Sequence, residues 1–168
     1  SLVLGRTGKQ KIETKMIEQI LTRKNLLRAM QKVQKNQGSA GVDYMPVCKL
    51  SELLSIDKGE LTAKVRSGKY LPQPILGVEI SKGEGKTRLL GIPTVTDRLL
   101  QQAVLQVITA RFEYEFSDSS FGFRPNRNVQ QAVLKAQGYI NEGFQNIVDI
   151  DLKTFFDEVD HCYLLQLI

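Results

Sequence analysis

Ile147-Val-Asp-Ile-Asp-Leu-Lys-Thr-Phe-Phe-Asp157 interleaves an apolar and an acidic series. Side chains alternate sides along a strand. Val148, Ile150 and Leu152 therefore fall on one face, and Asp149 and Asp151 on the other. The alternation predicts a strand over 146–152. A carboxylate at the end of such a strand suits Mg²⁺, a hard cation that prefers oxygen. Phosphoryl transfer with two metals needs carboxylates converging on ions about 3.5–4 Å apart. Acids at strand ends are also commonly just solvated, so the pattern by itself leaves both readings open.

Upstream of this segment, Val129, Ala132, Val133, Ala136 and Ile140 recur at helical spacing. Asn126 or Asn128 starts that helix and Gly143 ends it. The polar loop before it contains Ser-Ser-Phe-Gly-Phe-Arg-Pro. Earlier still, Thr94-x-x-Asp97 reads as a capping box for a helix running to about Phe116. Its inward stripe is expected to be Leu100, Ala103, Val104, Val107 and Ile108. Two β-type runs, 75–80 and 87–92, flank Ser81-Lys-Gly-Glu-Gly-Lys86 and predict a hairpin. Lys82, Lys86 and Arg88 give its tip a positive charge fit for an anion, with lysine as a point charge and arginine as a fork. The Gly-Lys-Ser/Thr ending of a P-loop is absent. Downstream, residues 161–168 begin a further helix.

Toward the N-terminus, Pro72 and Pro74 interrupt helix formation. Short helices are expected at 50–54 and 60–67, the second closed by Gly68. A turn-rich connection covers 38–46. Asn25 is expected to cap a helix with Leu26, Leu27, Met30 and Val33 inward, ending at Gly38. Ile12, Met16, Ile17, Ile20 and Leu21 mark another helix before it. The first 36 residues hold nine Lys/Arg against two Asp/Glu. Lys24, Arg28, Lys32 and Lys35 make the outer surface of the second helix a candidate for phosphate contacts.

Charge divides the chain. Residues 1–92 carry 17 Lys/Arg against 8 Asp/Glu, and residues 93–168 carry 6 against 10. A polyanion held by the front and cations by the back would fit that division. With 42% hydrophobic and 24% charged residues, the composition is globular. No apolar run reaches membrane-spanning length, and the first ten residues lack a secretory pattern. Cys48, Cys162 and His161 are too few and too scattered for a zinc site. Sparse cysteine fits a reducing compartment.

Four motifs together resemble group II intron reverse transcriptases, also called maturases. They are Asn36-Gln-Gly-Ser-Ala-Gly-Val-Asp43, Leu90-Gly-Ile-Pro-Thr94 with Asp97-Arg98, Ser120-Phe-Gly-Phe-Arg-Pro-Asn-Arg127, and Asp149 through Asp157 with His161. They stand in that family's order and span roughly residues 20–168. The resemblance implies an α+β fold: a basic N-terminal extension (1–45), mainly helical fingers with a β-hairpin (46–145), and the first strand of a right-hand polymerase palm (146–168). It implies that Asp151 is catalytic and binds Mg²⁺ together with the Leu152 carbonyl. It further implies that Lys82 and Arg88 hold the dNTP triphosphate, that Phe156 excludes a ribose 2′-hydroxyl, and that Ile92 lies near the templating base. Whether Arg124 touches ligand or only structure stays open. Implied partners are group II intron RNA, bound in part by Lys24, Arg28, Lys32 and Lys35, an RNA template with a DNA primer, and dNTP.

The sequence also departs from that family. Ser81 replaces the usual proline before the fingers lysine. Leu76 and Gly77 stand where arginines are common, and Asp160 and Cys162 differ from the usual pair around His161. The Tyr-Ala-Asp-Asp turn that supplies further metal ligands is missing, and no Asp-Asp pair occurs. These 168 residues alone are therefore expected not to polymerise. Alternatives are an RNA-binding splicing module without catalysis, a reverse transcriptase of a retron or CRISPR-associated lineage, and a homodimer through the fingers. The expected location is the cytoplasm of a bacterium or archaeon, or an organelle, with no membrane partner.

Overall fold

A computed structural model of the chain describes residues 15–56, 59–83, 85–152 and 154–167. It divides into two compact units, Ser1–Phe116 and Ser117–Ile168. In the first, α1 (15–20) leads through buried Leu21 into α2 (Arg23–Asn36). The cap of α2 is Thr22, not the expected Asn25: its Oγ1 accepts from the Asn25 N–H at 3.3 Å. Asn25 instead turns its amide inward, donating to the carbonyls of Ile20 and Ala103, each at 2.9 Å. A threonine hydroxyl caps nearly as well as asparagine, which leaves the longer amide to span two helices. The chain leaves α2 with Gln37 at φ 55° and Gly38 at φ 85°.

A 3₁₀ turn (Val47–Lys49), α3 (Leu50–Ile56) and α4 (Glu60–Arg66) follow, and Gly68 has the left-handed φ expected after α4. Arg66 forks onto the Glu18 carboxylate at 2.7 and 3.0 Å, holding that carboxyl below its ordinary pKa. The hairpin is β1 (Leu76–Gly83) and β2 (Lys86–Ile92), antiparallel, with Leu76 opposite Ile92 and Ile80 opposite Arg88. Its strands reach further into the glycine loop than the apolar runs suggest, with an irregularity between Ser81 and Gly83. Gly83 and Gly85 both take positive φ at the tip, a conformation glycine adopts without steric cost.

Helix α5 (Val95–Phe112) closes the unit and runs into a 3₁₀ turn, Glu113–Glu115. Ala29, Val33, Val47, Leu50, Leu61, Val95, Leu99 and Ala103 make the core. Leu50 and Leu99 are wholly buried, and each contributes about 1.5–3 kcal/mol by leaving water. The inward line of α5 is thus Val95, Leu99 and Ala103, and the expected Val104 faces solvent. Leu100 packs against the core only in part. Ala29 and Ala103 are both fully buried. Two small residues let α2 and α5 approach closely enough for Gln106 Nε2 to donate to the Asn25 side-chain oxygen at 2.8 Å.

In the second unit, Arg124 donates to the carbonyls of Ser117 (2.7 Å) and Ser120 (2.9 Å), folding the Phe-Gly-Phe-Arg-Pro loop back on itself. Arg127 lies over the Phe121 ring at 5.5 Å and pairs with Asp118. Helix α6 (Val129–Asn141) begins at Asn128, whose side chain and that of Gln131 form a reciprocal capping box. Its expected apolar stripe is not buried: Val129, Val133 and Ile140 are exposed. No described residue of this unit is buried, so the stripe lacks a covering layer. The strand expected over 146–152 is absent as well, and residues 144–152 form neither helix nor strand. A strand exists by its ladder. Among the described residues β1 and β2 pair only with each other, and no strand pairs with this segment. Thr154, at φ 50°, turns the chain into α7 (Phe155–Glu158), and α8 (His161–Leu167) follows. The architecture is mixed: helices with one two-stranded antiparallel sheet. No helix among the described residues is long and apolar enough to cross a membrane.

Candidate functional site

The residues singled out in the sequence fall into three groups. The first is the hairpin. Cross-strand partners share a face, so Leu76, Val78, Ile80, Arg88, Leu90 and Ile92 form one side of the ribbon. Arg88 and Ile92 are four residues apart on that side, separated by about 13 Å at the rise of a strand. The guanidinium thus stands toward the tip and the isoleucine at the root. Lys82 has its backbone in β1 at the irregular pairing. Its side chain, like that of Lys86, lies outside what the structure describes.

A second group surrounds an open hollow of about 550 Å³ lined by Ile150, Asp151, Leu152, Thr154, Phe155 and Phe156. Asp151 and Phe156 share it because the left-handed Thr154 and the one-turn α7 fold the chain back there. Asp149 is not among the lining residues, which separates two acids that alternation alone makes equivalent. The rings of Phe155 and Phe156 meet edge to face at 5.4 Å. A carboxylate and the neighbouring carbonyl of Leu152 suit a hard cation such as Mg²⁺. No cluster of three or more carboxylate, histidine or cysteine groups exists among the described residues. Asp151 and Leu152 would therefore supply only part of a metal's ligands.

The third group lies on α2. Lys24, Arg28, Lys32 and Lys35 are all exposed. Their spacing of four, four and three keeps them on the surface opposite Ala29 and Val33.

Two further residues organise the first unit, and their roles were not visible in the sequence. Asp97, 4% exposed, accepts from the Tyr70 hydroxyl at 2.6 Å, the Thr94 hydroxyl at 2.6 Å and the Gln73 N–H at 3.2 Å. Thr94 does cap α5, accepting from the Asp97 N–H at 3.2 Å. The Asp97 carboxylate, however, reaches outward to the segment before β1 and does not complete a box. Burial and that carboxylate raise the Tyr70 phenol far above its ordinary pKa, so it stays a donor. Arg98 donates to the carbonyls of Ser39 (2.7 Å) and Gln37 (3.5 Å). The capping spacing marked Asp97, but nothing local pointed to Tyr70 or to the loop after α2.

A family model described as reverse transcriptase (RNA-dependent DNA polymerase) matches residues 80–168. Protein YkfC of Escherichia coli (strain K12) is 32% identical over 136 residues, covering 79% of this chain and 36% of that protein. The group II intron-encoded protein LtrA of Lactococcus lactis subsp. cremoris is 37% identical over 110 residues, covering 65% of this chain and 18% of LtrA. The putative COX1/OXI3 intron 1 protein of Saccharomyces cerevisiae is 26% identical over 107 residues, covering 64% of this chain. The chain spans little more than a third of YkfC and under a fifth of LtrA.

Proposed function

This chain belongs to the reverse transcriptase (RNA-dependent DNA polymerase) family, and on that premise we propose that it forms the fingers and the beginning of the palm of a group II intron-encoded polymerase. In that reading the fold is a right-hand polymerase, with the extension at 1–45, the fingers at 46–145 and the palm starting at 146. The location is a bacterial or archaeal cytoplasm, or an organelle. Arg88, together with Lys82, binds the triphosphate of an incoming dNTP. Ile92 packs near the templating base. Phe156 stands where a ribose 2′-hydroxyl would clash. Asp151 and the Leu152 carbonyl would hold Mg²⁺, which supplies charge neutralisation at the reacting phosphate. The primer 3′-oxygen forms a bond to the α-phosphorus, the bond to the bridging oxygen breaks, and pyrophosphate leaves. The observation that carries the proposal is the hollow shared by Asp151, Leu152 and Phe156 within the family-matched residues.

Primer extension tests it. A longer protein carrying this chain together with an adjacent aspartate pair should extend a DNA primer on an RNA template. Asp151→Asn should reduce its rate about 10²–10³-fold, the scale of removing one preorganised electrostatic group. The 168 residues alone should not extend. Full activity in the variant, or template-dependent DNA from the 168 residues, would overturn the assignment.

The exposed Lys24, Arg28, Lys32 and Lys35 favour a second role on the same chain, binding of group II intron RNA. Recognition of structured RNA rests largely on phosphates and shape. A helix face with four cations and a firmly packed opposite side supplies phosphate contacts in a fixed arrangement.

A further inference from the structure

The hairpin arm is anchored almost wholly at its base. Its described side chains are exposed or half-buried along both strands, and an isolated two-stranded ribbon is marginal in water. What directs the arm is therefore its root. Chain enters at Tyr70-Leu-Pro-Gln73 and leaves at Pro93-Thr94. Both ends are bonded to the same carboxylate, through Tyr70 and Gln73 on the entering side and Thr94 on the leaving side. We infer that Asp97 is a positioning residue that sets the direction of the β1–β2 arm and so the placement of Arg88 over its ligand. The second half of this inference rests on the proposed polymerase reading, and the first half does not.

The chemistry of the three donors explains why an acid is needed. Two are hydroxyls, which can donate or accept. The third is the Gln73 backbone N–H, which can only donate. A carboxylate accepts all three at once, with charge-assisted strength for each bond. Asparagine offers one oxygen and one NH₂ group. It keeps the Gln73 bond only if the Tyr70 hydroxyl turns to accept, and it gives up the charge. Alanine removes every acceptor and leaves Gln73 N–H unpaired in a partly buried place.

Length makes the root matter. Eight residues of β1 extend roughly 27 Å at strand rise. Arg88 stands roughly 13 Å from the root at Ile92, so a slack of about 5° at the base moves it by roughly 1 Å. A shift of that size loosens the fit of a guanidinium fork on phosphate oxygens, which weakens binding more than it slows the chemistry. A ligand-gripping arginine on such a lever needs its base held.

Two measurements separate the halves. Hydrogen exchange on the 168-residue chain should show the amides of 76–83 and 86–92 exchanging at least tenfold faster in Asp97→Ala, with α2 amides unchanged. Asp97→Asn should recover part of the protection, and Tyr70→Phe should fall between Asn and wild type. Should Asp97→Ala not fold, Tyr70→Phe, which loses one bond, decides the same point. Unchanged exchange in the hairpin, or equal acceleration throughout the unit, would overturn the anchoring. In the longer protein, Asp97→Asn should raise the KM for dNTP about tenfold and change kcat by less than threefold, with partial recovery in Asp97→Glu. A matched fall in kcat with KM unchanged would overturn the link to Arg88. Failure of the wild-type longer protein to extend any primer would instead sink the polymerase reading, while the exchange result would still decide the anchor.

Discussion

Replacing Gly41 by alanine should destabilise the first unit, and the structure fixes the sign. The φ of Gly41 lies outside the left-handed region, so its backbone would accept alanine. On that account alone the change would stabilise by about 0.4–1 kcal/mol, by restricting the unfolded chain. Space reverses this. A Cβ at Gly41 would meet Cα and N of Thr94 at 2.8 Å and C of Pro93 at 2.9 Å. Carbon contacts settle near 3.5–4.0 Å, so the new atom intrudes by at least about 0.6 Å on main chain. Thr94 and Val95 are buried and Thr94 caps α5, so these atoms have little room to recede. Overpacking of this kind costs about 1–3 kcal/mol. A value near the middle, about 2 kcal/mol, lowers Tm by roughly 4–8 °C at this chain length. Thermal unfolding followed by far-ultraviolet circular dichroism measures it. Gly122→Ala is the control, because its Cβ would meet nothing within 4 Å and its φ is also not left-handed. Gly41→Ala melting at or above the wild-type temperature would refute the claim that this loop sits against the start of α5.

Asn128→Ala removes the bond its side-chain oxygen accepts from the Gln131 N–H, while its own backbone N–H can still donate to the Gln131 side chain. The loss should destabilise α6 by about 1 kcal/mol, seen as faster amide exchange in its first turn; unchanged exchange would mean that this cap bond contributes nothing. Raising the pH should expose the Tyr70 anchor. The phenol is held protonated in the fold, whereas the unfolded chain releases that proton from about pH 10. Its stabilisation is therefore complete below about pH 10 and lost as pH rises above it. Tyr70→Phe should flatten the fall of melting temperature with alkaline pH; an identical slope in both proteins would contradict the assigned partner. Changing Lys24, Arg28, Lys32 and Lys35 together to glutamine should weaken intron RNA binding and reduce the slope of log affinity against log salt by up to about 3. Equal affinity and slope in filter binding would move the RNA surface elsewhere.

Where chemistry is local, the elements could be read directly. Gly68, the glycines at the hairpin tip, Asn128 and the Thr94 cap are each answered by the expected turn or helix start. Register errors arose where a helix presents apolar residues on more than one side. α5 has Leu100, Val104, Val107 and Ile108 as well as Val95 and Leu99, the pair that lines up with Ala103, which is buried as expected. Only the closeness of α2 selects the second series. Asn25 shows the same limit from the polar side: its cap propensity is real, but a threonine three residues earlier took the role and freed it to bond Ala103 and Gln106. The roles proposed for Asp151, Lys82, Arg88 and Ile92 rest on motif resemblance. The geometry adds that Asp151, not Asp149, shares a hollow with Phe156.

By itself the sequence determined the run of helices and the hairpin in the first unit, the basic surface of α2, and membership in a polymerase family. Caps, glycine turns, periodicity and motif order act over a few residues and survive without tertiary context. Only the folded chain decided which apolar stripe is buried, that residues 144–152 stay unpaired, and that one carboxylate gathers Tyr70, Gln73 and Thr94. Those outcomes depend on partners distant in sequence, 78 residues apart in the case of Asn25 and Ala103, and, for the unpaired segment, on a strand to pair with. Hydrogen-bond pairing and burial are properties of two surfaces in contact, and a linear pattern describes only one of them.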